Sequence, residues 1–228
     1  MKKTYTDIFF DLDHTLWDFD KNSAMAFAKI FQSNFPKIEA HSFVEAYIPI
    51  NQACWKLYQK DQITHQELRY KRLKDSFDLI NIDINDTDIE KIACDYLEFL
   101  PENNHLFDGA IEILEYLKPN YKLHIITNGF AEVQEKKLQN SGIKPYFQTI
   151  TNSELAGVKK PNSIIYDYAL KISNAKKESS IMIGDCIDAD VLGAINFGID
   201  AVFVNYSKAF TDENVNQIHD LLDLKKYL

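Results

Sequence analysis

Two aspartates, Asp11 and Asp13, follow directly on the apolar run of "DIFFDLDHTLWDFD", and Thr15 stands two residues further on. A strand that buries its middle and ends in carboxylates is electrostatically costly unless a positive group lies beside it. Carboxylates so placed can attack as nucleophiles, move protons or hold a cation. Three further clusters could share that work: "TNG" (Thr127, Asn128, Gly129), "GVKKP" with Lys159 and Lys160, and "GDCIDAD" with Asp185 and Asp190. Each alone is ordinary. Thr-Asn-Gly is a common turn, Lys-Pro a common loop, and a strand-end Asp often caps a helix.

The elements around these clusters give them a common place. One strand is expected in the first 13 residues, with "IFF" as its apolar heart. From Lys21 to Leu100 the apolar positions recur at helical spacing, as in "AMAFAKIFQSNF", "FVEAYIPINQACWKLYQ", "HQELRYKRLKDSFDLI" and "DIEKIACDYLEFL". Pro49 should start or kink one of these helices. After Pro101 strands such as "KLHIITNG", "FQTITN", "SSIMIGD" and "DAVFVN" alternate with helical segments. That alternation implies a parallel sheet covered on both faces, whose strands read as continuous apolar runs. The expected fold is therefore a doubly wound α/β core, residues 1–16 and 103–228, with a helical domain, residues 17–102, inserted after the first strand. In such sheets ligands bind beyond the carboxyl ends of the strands, where "DLDHT", "TNG" and "GD" fall.

Bulk properties narrow the function class. The 228 residues are 46% hydrophobic and 26% charged, values of a globular protein. A net charge of −9 argues against a nucleic-acid polymer as partner, yet allows a phosphorylated metabolite if a divalent cation reverses the sign locally. Three cysteines (Cys54, Cys94, Cys186) without CxxC spacing fit a reducing compartment. No apolar run of membrane-spanning length occurs, and Asp7, Asp11 and Asp13 interrupt any leader-like segment. The expectation is a soluble cytoplasmic protein.

"DLDHT", "TNG", "KP" and "GDCIDAD" occur in the order and contexts of the four motifs of the haloacid dehalogenase-like (HAD) superfamily, which this chain resembles over essentially its whole length. The resemblance implies a Mg²⁺-dependent phosphatase working through an aspartyl-phosphate. Asp11 would be the nucleophile and, with Asp185 and the Asp13 backbone carbonyl, a metal ligand. Asp13 would protonate the leaving oxygen and later take a proton from water. Metal contact would keep Asp11 ionised, and crowding against charge would favour protonated Asp13. Thr127, Asn128 and Gly129 would hold a phosphoryl oxygen, and Lys160, directly before the proline, would supply the fixed positive charge. Asp190 would orient Lys160 or a metal-bound water, Thr15 would support the first loop, and Asp188 would cap the following helix. Lys159 is expected to be solvated, Cys186 to pack, and His14 to have no required role.

The segments "YIPINQACWKLYQKDQIT" and "LRYKRL" are similar to the cap of the YjjG/YfnB-type pyrimidine 5′-nucleotidase subgroup, on Asn51, Trp55, Ile63, Thr64 and Arg72. That likeness implies a pyrimidine nucleoside 5′-monophosphate as substrate, with Asn51, Trp55 and Arg72 as specificity residues. Core packing is the favoured reading of Trp55, and Arg72 could be a surface or domain-closure residue. Alternatives are a phosphatase or phosphomutase for another small phosphate, such as phosphoglycolate or a sugar phosphate. A haloacid dehalogenase is disfavoured by Asp13, and a non-catalytic HAD-fold binding protein by the complete set of acids with Lys160.

Overall fold

The computed structural model describes residues 4–208 and 215–228. The chain divides into two compact units, Met1–Asp18 with His105–Leu228, and Phe19–Asn104.

The first unit is an α/β unit. Its strands are β1 (Asp7–Phe10), β2 (Lys122–Thr127), β3 (Phe147–Asn152), β4 (Ser180–Gly184), β5 (Asp200–Val204) and β6 (Gln217–Ile218). They form one six-stranded sheet in the order β3-β2-β1-β4-β5-β6, every pairing parallel. β1 is central because it is apolar on both faces: Ile8, Phe9 and Phe10 are all fully buried. After β2 and β3 on one side, the chain returns to β4 on the other. That reversal opens a crevice at the carboxyl ends of β1, β2 and β4, where the polar clusters lie. The short β6 and a 3₁₀ segment, Leu221–Lys226, were not anticipated.

The second unit is helical, with α1 (Phe19–Asn34), α2 (Ala40–Gln59), α3 (His65–Leu79) and α4 (Asp86–Phe99). Its core is aromatic. Phe27 stacks on Tyr96 at 4.6 Å between ring centres and meets Tyr47 edge-on at 4.7 Å, while Phe43 lies 4.6 Å from Phe77. Pro49 sits inside α2 instead of starting it. Thr64 has a local reason to be where it is: its side chain caps α3, accepting from Glu67 N–H, while Glu67 reaches back to the Thr64 N–H.

In the α/β unit, α5 (Ala110–Leu117), α6 (Ala131–Asn140), α7 (Ser153–Ala156), α8 (Ser163–Ser173) and α9 (Gly193–Phe197) follow their strands. The helix expected over "ADVLGAINFG" is interrupted: Ile187–Leu192 is a π-helical turn that passes into α9. The Cys186 carbonyl accepts from both Asp190 N–H (2.8 Å) and Val191 N–H (3.2 Å), which widens the turn. Among the described residues no helix is long and apolar enough to cross a membrane.

The opposite end of the sheet carries a buried polar relay. His124 on β2 is stacked on Phe9, its Nδ1 2.9 Å from Thr149 Oγ1 and its Nε2 3.3 Å from Asp7 Oδ1. Burial lowers the imidazole pKa, outweighing the upward pull of Asp7. A depressed folded-state pKa means that the unfolded chain binds the proton more readily. The contribution to stability is therefore complete above the unfolded value, about 6.5, and is lost as pH falls through the folded pKa. Urea unfolding of His124→Gln beside the unmodified protein should show a shallower loss of stability between about pH 7 and 5 in the variant. Parallel pH profiles would contradict this assignment.

Candidate active site

The register of the sheet sets adjacent strand ends side by side. Phe10 pairs with Ile125 and with Ile183, so Asp11, the "TNG" turn and Asp185 all emerge at one edge. The backbone of Asp11 still belongs to the ladder, its N–H donating to Ile183 O at 2.9 Å. Beyond it the chain turns sharply. Leu16 and Trp17 N–H groups both reach back to Leu12 O, and His14 adopts a left-handed φ of 60°.

Lys160 comes from the loop between α7 and α8 and is 1% exposed. Its ammonium donates to Asp11 Oδ1 (2.6 Å), Asp190 Oδ1 (2.6 Å) and Ile126 O (2.7 Å), so all three donors are used. Asn128 fixes the lysine's backbone: its amide donates to Lys160 O at 3.0 Å and accepts from Lys160 N–H at 2.7 Å. The "TNG" turn thus does more than present N–H groups; its asparagine side chain laces the lysine loop to the end of β2.

The same strand end supports the remaining acids. Asp190 turns back so that its Oδ2 accepts from Cys186 N–H at 2.9 Å. Gly184 makes this approach possible, since a Cβ there would meet Asp190 Cγ at 2.4 Å. Asp188 is exposed, and the expected cap is instead Cys186, whose Sγ accepts from Ala189 N–H. Thr15, fully buried, donates to Asp185 Oδ1 at 3.1 Å, and Tyr206 OH holds the Thr15 carbonyl at 2.8 Å. Tyr206 was not singled out in the sequence.

One oxygen each from Asp11, Asp185 and Asp190 lies within 4.8 Å of the others. Three carboxylates face one ammonium, a net charge of −2 when all are ionised. Burial raises the Asp11 pKa well above the carboxylate range; Lys160 opposes this, and Asp190 and Asp185 add to it. Asp185 is pushed up to about 8, by burial first and then by Asp190. Burial alone would lower Lys160, but Asp11 and Asp190 outweigh it and hold the ammonium well above its usual value. The protein by itself thus supplies too little positive charge for its acids, and a hard divalent cation fits this all-oxygen set. Asp190 has one oxygen on Lys160 and the other on Cys186 N–H. The second oxygens of Asp11 and Asp185 are therefore the carboxylate atoms best suited to an ion. The Cys186 thiol, raised to about 12 by burial and then by Asp190, is an inert neighbour.

Asp13 lies in a different setting from the one expected. Its neighbours are donors: Lys137 Nζ reaches Oδ1 at 2.6 Å and Gln134 Nε2 reaches Oδ2 at 2.8 Å. Crowding by like charge is not what these protein side chains provide. Gln134 and Lys137, both on α6, were not anticipated from the sequence. A signal existed, because they lie one turn from Leu138 and Val133 on the buried face of the helix.

The residues named for the cap lie within the helical unit. Arg72, 3% exposed, donates from Nη1 to Asn51 Oδ1 at 3.2 Å and lies 5.1 Å from the Tyr96 ring. Tyr47 OH donates to the same Asn51 oxygen at 3.3 Å. Among the described residues no carboxylate pairs with Arg72, and its buried Nε has no acceptor. Trp55 is half-buried and meets Tyr58 edge-on at 5.5 Å.

Residues 8–198 match the model of the haloacid dehalogenase-like hydrolases. The pyrimidine 5′-nucleotidase PynA of Streptococcus pneumoniae is 31% identical over 230 residues, covering 96% of this chain and 94% of that one. The pyrimidine 5′-nucleotidase YjjG of Escherichia coli is 33% identical over 199 residues, covering 87% and 85%. Among solved structures, the putative HAD-hydrolase YfnB from Bacillus subtilis, bound to magnesium, superimposes with a TM-score of 0.88 at 28% identity, covering 98% of each chain. With strand order, motif order and family model in agreement, the chain belongs to the haloacid dehalogenase-like hydrolases.

Proposed function

We propose that this protein is a Mg²⁺-dependent phosphatase that hydrolyses a pyrimidine nucleoside 5′-monophosphate through an aspartyl-phosphate on Asp11. The observation that carries the reading is the Lys160 ammonium, buried against Asp11, Asp190 and the Ile126 carbonyl beside Thr127. A nucleophilic carboxylate and a phosphate repel each other, and a fixed cation beside the nucleophile lowers that repulsion without any reorganisation. The nucleotide class is supported by the names of the Streptococcus and Escherichia relatives.

An Asp11 oxygen attacks phosphorus in line, and the bond from phosphorus to the ester oxygen breaks as that oxygen takes a proton from Asp13, whose protonated form the negative charge of the incoming phosphate favours. Water then attacks the phosphorus of the aspartyl-phosphate and gives a proton to Asp13. The bond to Asp11 breaks, phosphate leaves, and both carboxyl groups return to their starting states. Thr127, the Asn128 backbone and Gly129 hold phosphoryl oxygens, and Lys160 neutralises a share of their charge. Asp11, Asp185 and the Asp13 carbonyl would hold Mg²⁺, which when bound supplies further charge neutralisation and orients the phosphate. Asp190 anchors Lys160, and Thr15 anchors Asp185. Asn51, Trp55 and Arg72 are assigned to base recognition, on their match to the nucleotidase subgroup and on the unmatched charge of Arg72. The substrate is a small metabolite, and the unpaired Cys54, Cys94 and Cys186 suit a cytoplasmic setting.

A substrate panel tests the class. UMP, dUMP and dTMP should exceed phosphoglycolate and glucose phosphates in kcat/KM by at least about tenfold, roughly 1.4 kcal/mol of barrier. A flat profile would leave a general phosphatase. Asp11→Asn should fold normally and lose turnover, as should the unmodified enzyme in EDTA, and retained hydrolysis in either case contradicts the mechanism. Lys160→Met leaves Asp11 and Asp190 buried without their cation. It should destabilise the metal-free protein by about 3–5 kcal/mol, read from denaturant unfolding. A change below about 1 kcal/mol would mean that the triad is not held by charge.

A further inference from the structure

The helix that follows the "TNG" turn, α6, buries two polar side chains that the mechanism above leaves without a task. Gln134 is 1% and Lys137 2% exposed, although both residue types are ordinarily solvated on helices. They stand three residues apart and so share a face. Lys137 Nζ lies 4.2 Å from the centre of the buried Trp17 ring and 2.6 Å from Asp13 Oδ1. Gln134 Nε2 donates to two acceptors, Asp13 Oδ2 at 2.8 Å and Thr127 Oγ1 at 2.9 Å. Its own Oε1 is buried without a partner, so the amide is not placed there to satisfy itself. Gly129 makes room for it, because a Cβ at that position would meet Gln134 Nε2 at 1.8 Å.

We infer that Gln134 and Lys137 are positioning residues that clamp the Asp13 carboxyl group by both oxygens and tie it to the phosphate-binding turn. This deepens the phosphatase reading and rests on it. A side chain held at one oxygen can still rotate about its last torsion; one held at both, by groups on a single helix, has its carboxyl plane fixed. The shared nitrogen of Gln134 adds a second constraint. It bonds the acid and the Thr127 hydroxyl at once, so the distance between proton donor and phosphate site is set before substrate arrives. Proton transfer to a leaving oxygen demands such geometry. A buried ion pair that merely held α6 in place would need neither the second oxygen nor the link to Thr127.

The leaving group separates the two roles. An alkoxide must be protonated as it departs, whereas p-nitrophenolate leaves without help, and kcat/KM reports the step in which it leaves. Lys137→Met should lower kcat/KM about a hundredfold for the nucleoside monophosphate or other alkyl phosphate that the unmodified enzyme turns over best. For p-nitrophenyl phosphate it should fall by less than about tenfold. Lys137→Arg, which keeps a cationic donor, should recover most of the alkyl-ester rate, and Gln134→Leu should show the same selectivity as Lys137→Met. Because both esters are compared on one variant, a partly unfolded sample lowers the two alike and leaves the ratio intact. An equal loss on both esters, or no loss on either, overturns the assignment. If the unmodified enzyme hydrolyses neither ester, it is the phosphatase reading itself that falls.

Discussion

Everything at the carboxyl edge of the sheet depends on one ammonium group placed among carboxylates that cannot leave. Lys160 is fully buried, its three donors are taken by Asp11, Asp190 and the Ile126 carbonyl, and its charge is held in place by those acids. A lone lysine so deep would shift toward its neutral form, and a lone buried aspartate would take up a proton. Together they stabilise each other, but incompletely. Burial first, and neighbouring acids second, push Asp185 up to about 8 and Asp11 well beyond its normal range, and the single lysine does not cancel the effect. An all-oxygen set of this kind suits a hard divalent cation.

The fold creates this arrangement through backbone close approach. Parallel pairing of β1 with β2 and β4 brings three strand ends to one edge, each contributing one turn. Gly184 allows Asp190 to lie against the end of β4, and Gly129 allows Gln134 to lie against the end of β2. Both glycines act by lacking a side chain where another residue's polar group must pass. Asn128 then bonds the Lys160 backbone in both directions, so the lysine's position is fixed by the same turn that is assigned to phosphate binding.

Much of this was legible in the chain. Alternation of apolar strands and helical segments after Pro101 gave the parallel sheet, because strands buried on both faces have no polar alternation to hide them. The acids and Lys160 were readable because each sits at a strand end or in a loop, where polar residues are conspicuous beside apolar runs. Gln134 and Lys137 were harder to see: their spacing from Leu138 and Val133 puts them on the buried face, but a polar residue in mid-helix is ordinarily solvated. The π-helical turn at Ile187–Leu192 was equally hidden. Within it Asp190 accepts from Cys186 N–H by one oxygen and from Lys160 by the other, and the contact with the distant Lys160 is one that the periodicity of "ADVLGAINFG" does not disclose. Thr64, read as part of a recognition pattern, is accounted for locally by its capping box.

On the reading proposed above, Asp11 and Asp185 hold a divalent cation that offsets the excess of carboxylates at this edge. Anomalous diffraction from crystals grown with Mn²⁺ tests it most directly. One strong peak is expected within coordination distance of carboxylate oxygens of Asp11 and Asp185, with Lys160 still bridging Asp11 and Asp190. A peak on other residues, or none at a Mn²⁺ concentration that supports turnover, would contradict it.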